Sequence, residues 1–145
     1  MTLLFDTNIL LHFLRESPLS KRVENELNPF DPSNTLLISV VTEGELRSLG
    51  FQNGWGKKRL EKLENELKDF AVVPIRSRDI IERYAELDAF SQGKLLGRPL
   101  GTSARNMGKN DLWIAATASI LSAKLITMDS DFDHLNTVWI EMLKY

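Results

Sequence analysis

No cysteine occurs in the 145 residues, so disulfide frameworks, thiolate metal sites and cysteine nucleophiles are all excluded. A chain without thiols suits a reducing cytosol. Long apolar runs are missing as well. The most hydrophobic helical stretch, Leu112 to Leu121, is too short to span a bilayer and contains Thr117 and Ser119. The first residues, MTLLFDTNILLHFL, have no basic region and carry Asp6 inside their apolar run, which argues against a signal peptide. A cytoplasmic protein with no membrane association is therefore expected. Strong net charge is absent too. Against 20 acidic residues stand 18 basic ones, a balance of −2, so bulk charge does not draw the molecule to nucleic acid. No repeat, low-complexity tract or linker interrupts the chain, and its length is that of one ordinary domain, expected to span residues 1–145.

What is present is an alternation of strand-like and helix-like text. Leu3 to Phe5 and Leu36 to Val40 read as strands, each followed at once by helical text, to about Arg15 and to about Leu49. Gly50 is expected to stop the second of those helices. Between them, Ser17-Pro18 has the form of an N-cap with proline at the first helical position, opening a helix to about Leu27. Leu60, Leu63, Leu67 and Phe70 recur at helical spacing. Ala71 to Ile75 is a third strand, and Pro74, which cannot donate to a ladder, assigns it to a sheet edge. Ile80, Ile81, Tyr84 and Leu87 mark another amphipathic helix. Gln92 to Gly108, with four glycines and Pro99, reads as loop. Asp111 to Leu121 is apolar on nearly every face and is expected to be a buried helix. Leu125 to Met128 is a fourth strand, and Val138 to Met142 a short fifth. The pattern predicts an α/β fold of three layers, a mainly parallel sheet of four to five strands flanked by helices.

Four acidic residues stand out by position in that alternation. Asp6 follows the first strand, Glu45 lies on the helix after the second, Asp111 opens the buried helix, and Asp129 follows the fourth strand. Open parallel sheets bind ligands beyond the carboxyl ends of their strands, where these four could meet. Carboxylates brought together repel, and a hard divalent cation such as Mg²⁺ or Mn²⁺ resolves the conflict. Each acid taken alone has a plainer explanation. Asp6 and Asp129 suit caps and turns, Asp111 suits the first turn of a helix, and Glu45 suits a solvated face. Only a shared site accounts for all four at one end of one sheet. The two histidines, His12 and His134, have no base or ligand partner by spacing and read as structural or solvent-facing. From Asp88 to Asp111 no acidic residue intervenes, whereas Lys94, Arg98, Arg105 and Lys109 do. That stretch is either a solvated loop or a basic rim gripping phosphates.

The residues around each acid resemble the motifs of PIN-domain ribonucleases of the VapC toxin type. FDTNIL at 5–10, SVVTEGEL at 39–46, NDLWIAATA at 110–118 and LITMDSDF at 125–132 match the four family motifs in family order and cover the chain from end to end. Ser39, Thr42 and Glu45 fall on the matching positions of the second. The resemblance implies that Asp6, Glu45, Asp111 and Asp129 are the metal-binding, catalytic carboxylates, with Mg²⁺ or Mn²⁺ as cofactor. It implies that Asn8 and Thr127 support them by orienting carboxylates or water, and that Asp131 either reaches the metal through water or caps a short helix. Arg98, Arg105 and Lys109 are the RNA-binding candidates. Implied partners are RNA, structured RNA such as tRNA being the expected substrate, a cognate antitoxin protein and a second copy in a homodimer. The sequence departs from the family where GRPLG at 97–101 is followed by TSARNMGK before Asn110, which alters the entrance to the site. A non-catalytic PIN-like module binding RNA or protein is the competing expectation, and loss of one of the four carboxylates would favour it. An aspartyl-nucleophile phosphatase wants a second aspartate two residues beyond the first, where Asn8 stands.

Overall fold

A computed structural model describes residues 1–145. Five strands form one sheet: β1 (Thr2–Phe5), β2 (Thr35–Ser39), β3 (Ala71–Val73), β4 (Lys124–Thr127) and β5 (Glu141–Lys144), in the order β3-β2-β1-β4-β5. Every pairing is parallel. Strand β1 is central and buried along Leu3, Leu4 and Phe5, as expected of a parallel strand covered on both faces. Its side chains alternate between two cores. Leu4, with Leu37 and Leu125, enters one of them, while Leu3 and Phe5, with Leu36, Ile38 and Ile126, enter the other.

The helices divide accordingly. On the face of Leu3 and Phe5 lie α1 (Thr7–Leu14), α2 (Pro18–Leu27), α3 (Val40–Gln52) and α4 (Lys57–Leu67). On the face of Leu4 lie α5 (Arg78–Ser91), α6 (Lys109–Ile120) and a 3-10 helix, Ser130–Leu135. Helix α6 is buried along Leu112, Ile114, Ala115, Ala116, Thr117 and Ala118, in keeping with its apolar text. Helix α2 begins as its sequence predicts, with Ser17 accepting from the Ser20 amide and Pro18 in the first turn. No helix is long and apolar enough to cross a membrane.

Two local expectations are corrected. Helix α3 does not stop at Gly50 but runs through it to Gln52. Gly50 is buried, and a Cβ there would stand 3.2 Å from the Trp55 ring, so this glycine serves close packing rather than termination. The fifth strand starts at Glu141, not Val138. Residues 137–140 are taken up by a tight turn in which Trp139 and Ile140 both donate to the Leu135 carbonyl. Pro74 ends β3 after Val73, and β3 occupies a sheet edge.

Candidate active site

Strands β1, β2 and β3 step outward in one direction while β4 and β5 lie on the other side of β1. The order therefore reverses between β1 and β4, and the crevice of an open α/β sheet belongs beyond the carboxyl ends of those two strands. Asp6 is the first residue after β1 and Asp129 the second after β4. A cavity of about 700 Å³ opens there, lined by Asp6, Asn8, Glu45, Asn110, Asp111 and Asp129 among others. All four carboxylates expected from sequence reach this one cleft.

Each is positioned by its element. Asp6 is the N-cap of α1, where its Oδ1 accepts the Thr7 amide at 2.7 Å. Its Oδ2 accepts the Thr127 hydroxyl at 2.8 Å. Thr127 is fully buried and its oxygen also accepts the Asp129 amide at 3.0 Å, so one threonine fixes both the Asp6 carboxylate and the turn bearing Asp129. Asp129 in turn caps the 3-10 helix by accepting the Asp131 amide at 2.9 Å. Glu45 is held across the cleft by the Thr7 hydroxyl at 2.9 Å. The plain capping explanations for Asp6 and Asp129 are thus realised, and the same caps aim their carboxyl groups at the cleft. Of the eight buried polar residues, Asp6, Thr7, Ser39, Thr42 and Thr127 all cluster at this edge. Polar groups needed only for architecture would be scattered.

Electrostatics follow from the crowding. Burial, opposed by the Thr127 and Thr7 hydrogen bonds and reinforced by Asp129 and Glu45, raises the Asp6 carboxyl above its ordinary value. Burial, then the charges of Asp6, Asp129, Asp131 and Glu45, pushes Asp111 up to about 7. A cation bound here would relieve that strain. The tightest acidic group is Asp111, Asp129 and Asp131, whose ligand oxygens all lie within 4.8 Å of one another. These three carboxylates would be within reach of one divalent cation. An all-oxygen, all-carboxylate donor set matches Mg²⁺ or Mn²⁺ and not a thiophilic or imidazole-seeking metal.

Further residues stand beside the four expected acids. Asp131, read from sequence as an accessory, stands in the tightest carboxylate group, while Asp6 and Glu45 form the wall beside it. Thr127 orients Asp6 as expected, joined by Thr7, whereas Asn8 is exposed on the cleft wall. Thr7 was not singled out from sequence. Its sequence signal is its place directly after Asp6, at the first position of α1; in the fold its hydroxyl also stands 3.2 Å from that of Thr42. Arg98 stacks over Trp139 at 4.0 Å from the ring centre, and the Trp139 carbonyl accepts from Ser119 near the far end of α6. Ser119 lies eight helical steps beyond Asp111, about 12 Å at 1.5 Å per residue, so Arg98 lies away from the cleft. Arg105 donates its amide to Ser91 and its charge acts on His134. Lys109 is exposed at the start of α6. None of the three lines the acidic cleft. His134 is half-buried, stacked on Phe90 and 2.7 Å from Ser91 Oγ.

Comparison with known proteins agrees with the geometry. A PIN-domain family model matches residues 3–138. The chain is similar to Ribonuclease VapC1 of Haemophilus influenzae strain R2866, with 28% identity over 127 residues covering 88% of this chain and 86% of that one. VapBC-1 from nontypeable Haemophilus influenzae superposes with a TM-score of 0.73 at 26% identity, covering 99% of this chain and 98% of the other. VapBC2 from Rickettsia felis, solved bound to a DNA fragment from its promoter, shares the fold with a TM-score of 0.75 at 24% identity over 98% of both chains.

Proposed function

The chain belongs to the PIN-domain family, and from that membership we propose that it is a metal-dependent endoribonuclease, the toxin member of a toxin–antitoxin pair. One observation carries the reading: Asp6, Glu45, Asp111 and Asp129 converge on a single cleft at the β1–β4 switch point. Four carboxylates with no cation among them have no stabilising purpose there. In this reading Asp6, Glu45, Asp111 and Asp129 hold Mg²⁺ or Mn²⁺, and Asp131, whose carboxylate lies within 4.8 Å of those of Asp111 and Asp129, stands beside them. The bound metal supplies positive charge that polarises the scissile phosphate and makes hydroxide available near neutral pH. The chain's own part is orientation. Thr127 and the Thr7 amide fix Asp6, the Thr7 hydroxyl fixes Glu45, and the Asp129 cap fixes Asp131. Asn8 offers an amide on the cleft wall to water or a phosphate oxygen. No protein nucleophile is needed.

The ribonuclease relative and the VapBC complexes support RNA as substrate and an antitoxin as partner. Structured RNA such as tRNA and assembly as a homodimer extend the same reading. Purified protein is expected to cleave RNA in Mg²⁺ or Mn²⁺ and to stop when EDTA is added. Cleavage that persists in EDTA would sink the metal mechanism. A small antitoxin-like reading frame beside this one would identify the partner.

A further inference from the structure

An acidic cleft must still receive a polyanion. None of the residues lining it is a cation, and the basic residues singled out from sequence do not line it. A second cavity, of about 450 Å³, adjoins the first. It is lined by Leu11, His12, Arg15, Met128 and Ser130, and it shares Asn8 and Asp129 with the acidic cleft. Its volume falls in the range of small-ligand pockets, about 300–1,000 Å³, and so accommodates one nucleotide unit. Arg15 is the one permanently charged cation lining either cavity. It takes part in none of the chain's ion pairs, although its neighbour Glu16 is paired with Lys62. His12 is held through Nδ1 by Ser17 Oγ at 2.9 Å, a contact that orients the ring and leaves Nε2 for a ligand.

We propose that Arg15 and His12 form a subsite for the RNA phosphate adjoining the scissile one, with the strand passing over Asn8 from one cavity to the other. The proposal rests on the ribonuclease reading and deepens it. The bound metal answers the charge of the phosphate being cut. The next phosphate along lies beyond the carboxylates, beside Asp129, and needs a cation of its own. A guanidinium suits this task because it donates several hydrogen bonds in a fixed fork to phosphate oxygens. Arg15 is also the C-cap residue of α1, where positive charge favours the helix dipole, so a purely structural role is the competing explanation.

Steady-state cleavage of bulk tRNA in Mn²⁺ by the full chain, paired with anisotropy binding of a labelled oligoribonucleotide across a salt series, separates the two. Arg15→Gln is expected to raise KM about tenfold, the worth of one charge-assisted contact, with the effect falling on KM rather than kcat. The slope of log affinity against log salt should flatten by about 0.7, the value for one phosphate contact on a single strand. Arg15→Lys should recover most of both. Lys68→Gln, the same charge loss at a residue that lines neither cavity, should change neither. An active parent with KM and salt slope unaltered by Arg15→Gln overturns the subsite, as does an equal loss in Lys68→Gln. A parent that cleaves no RNA with Mn²⁺ or Mg²⁺ overturns instead the ribonuclease reading beneath it.

Discussion

Asp111 sits where burial and four neighbouring carboxylates all favour its neutral form. Unfolded, it titrates near 3.8; folded, at about 7. Across that window the folded state binds the extra proton, so its contribution to stability is present at low pH and is lost as pH rises through about 7. In metal-free protein, Asp111→Asn removes one charge from the cluster and should melt at an equal or higher temperature than the parent, with the gap widening toward neutral pH. Taking the difference between parent and variant separates Asp111 from His134, Asp31 and Glu64, whose lowered values act with opposite sign. The variant should lose nuclease activity, and added Mg²⁺ should raise its melting temperature much less than the parent's. A variant less stable in EDTA and still active would remove Asp111 from the site. Thr127 is tested by shape. Thr127→Val leaves the Asp6 Oδ2 without its donor in a buried place and should cost about 1–3 kcal/mol in denaturant unfolding, with activity falling alongside. Thr127→Ser, which keeps the hydroxyl, should retain both.

Helix α4 shows which contacts secure an element. It carries Glu64, paired with Arg47 of α3, which also pairs with Glu43 at 2.8 Å. All three side chains are at least partly exposed, and such pairs contribute about 0–1 kcal/mol. Leu63 on the same helix is 1% exposed in the core beneath. Arg47→Ala should therefore barely move the denaturant midpoint, whereas Leu63→Ala should cost about 2–5 kcal/mol. Equal losses would show the ion-pair network to be the real anchor of α4. The passage from α3 to α4 also explains the missed helix end: Gly50 could be recognised from sequence as unusual, but not that Trp55 and Leu60 fold back onto it.

On the scale of the whole molecule, expression of the parent should arrest growth of a bacterial host, and Asp111→Asn should relieve the arrest at equal protein level. Arrest that survives the substitution would separate toxicity from the carboxylate cluster. The strand order that places this cluster was legible only in outline. Alternating text predicts parallel strands with helices between them, and Pro74 predicts β3 at an edge, both local consequences of backbone chemistry. That β4 inserts beside β1, creating the switch point, depends on which long crossovers pack best, and no local signal records it.

The sequence alone pointed to the fold class and to the four acids that meet in one cleft, because motifs, periodicity and composition are properties of neighbours along the chain. Tertiary structure decided how those acids are shared out. It brought Asp131 beside Asp111 and Asp129, set Thr7 between Thr42 and Glu45, drew Arg98 onto Trp139 and opened the cavity of Arg15 next to the cleft. Each of these depends on contacts between residues distant in sequence or on the local turn that aims a side chain. Residue type along the chain states what a group can do; the packing of distant segments decides which groups do it together.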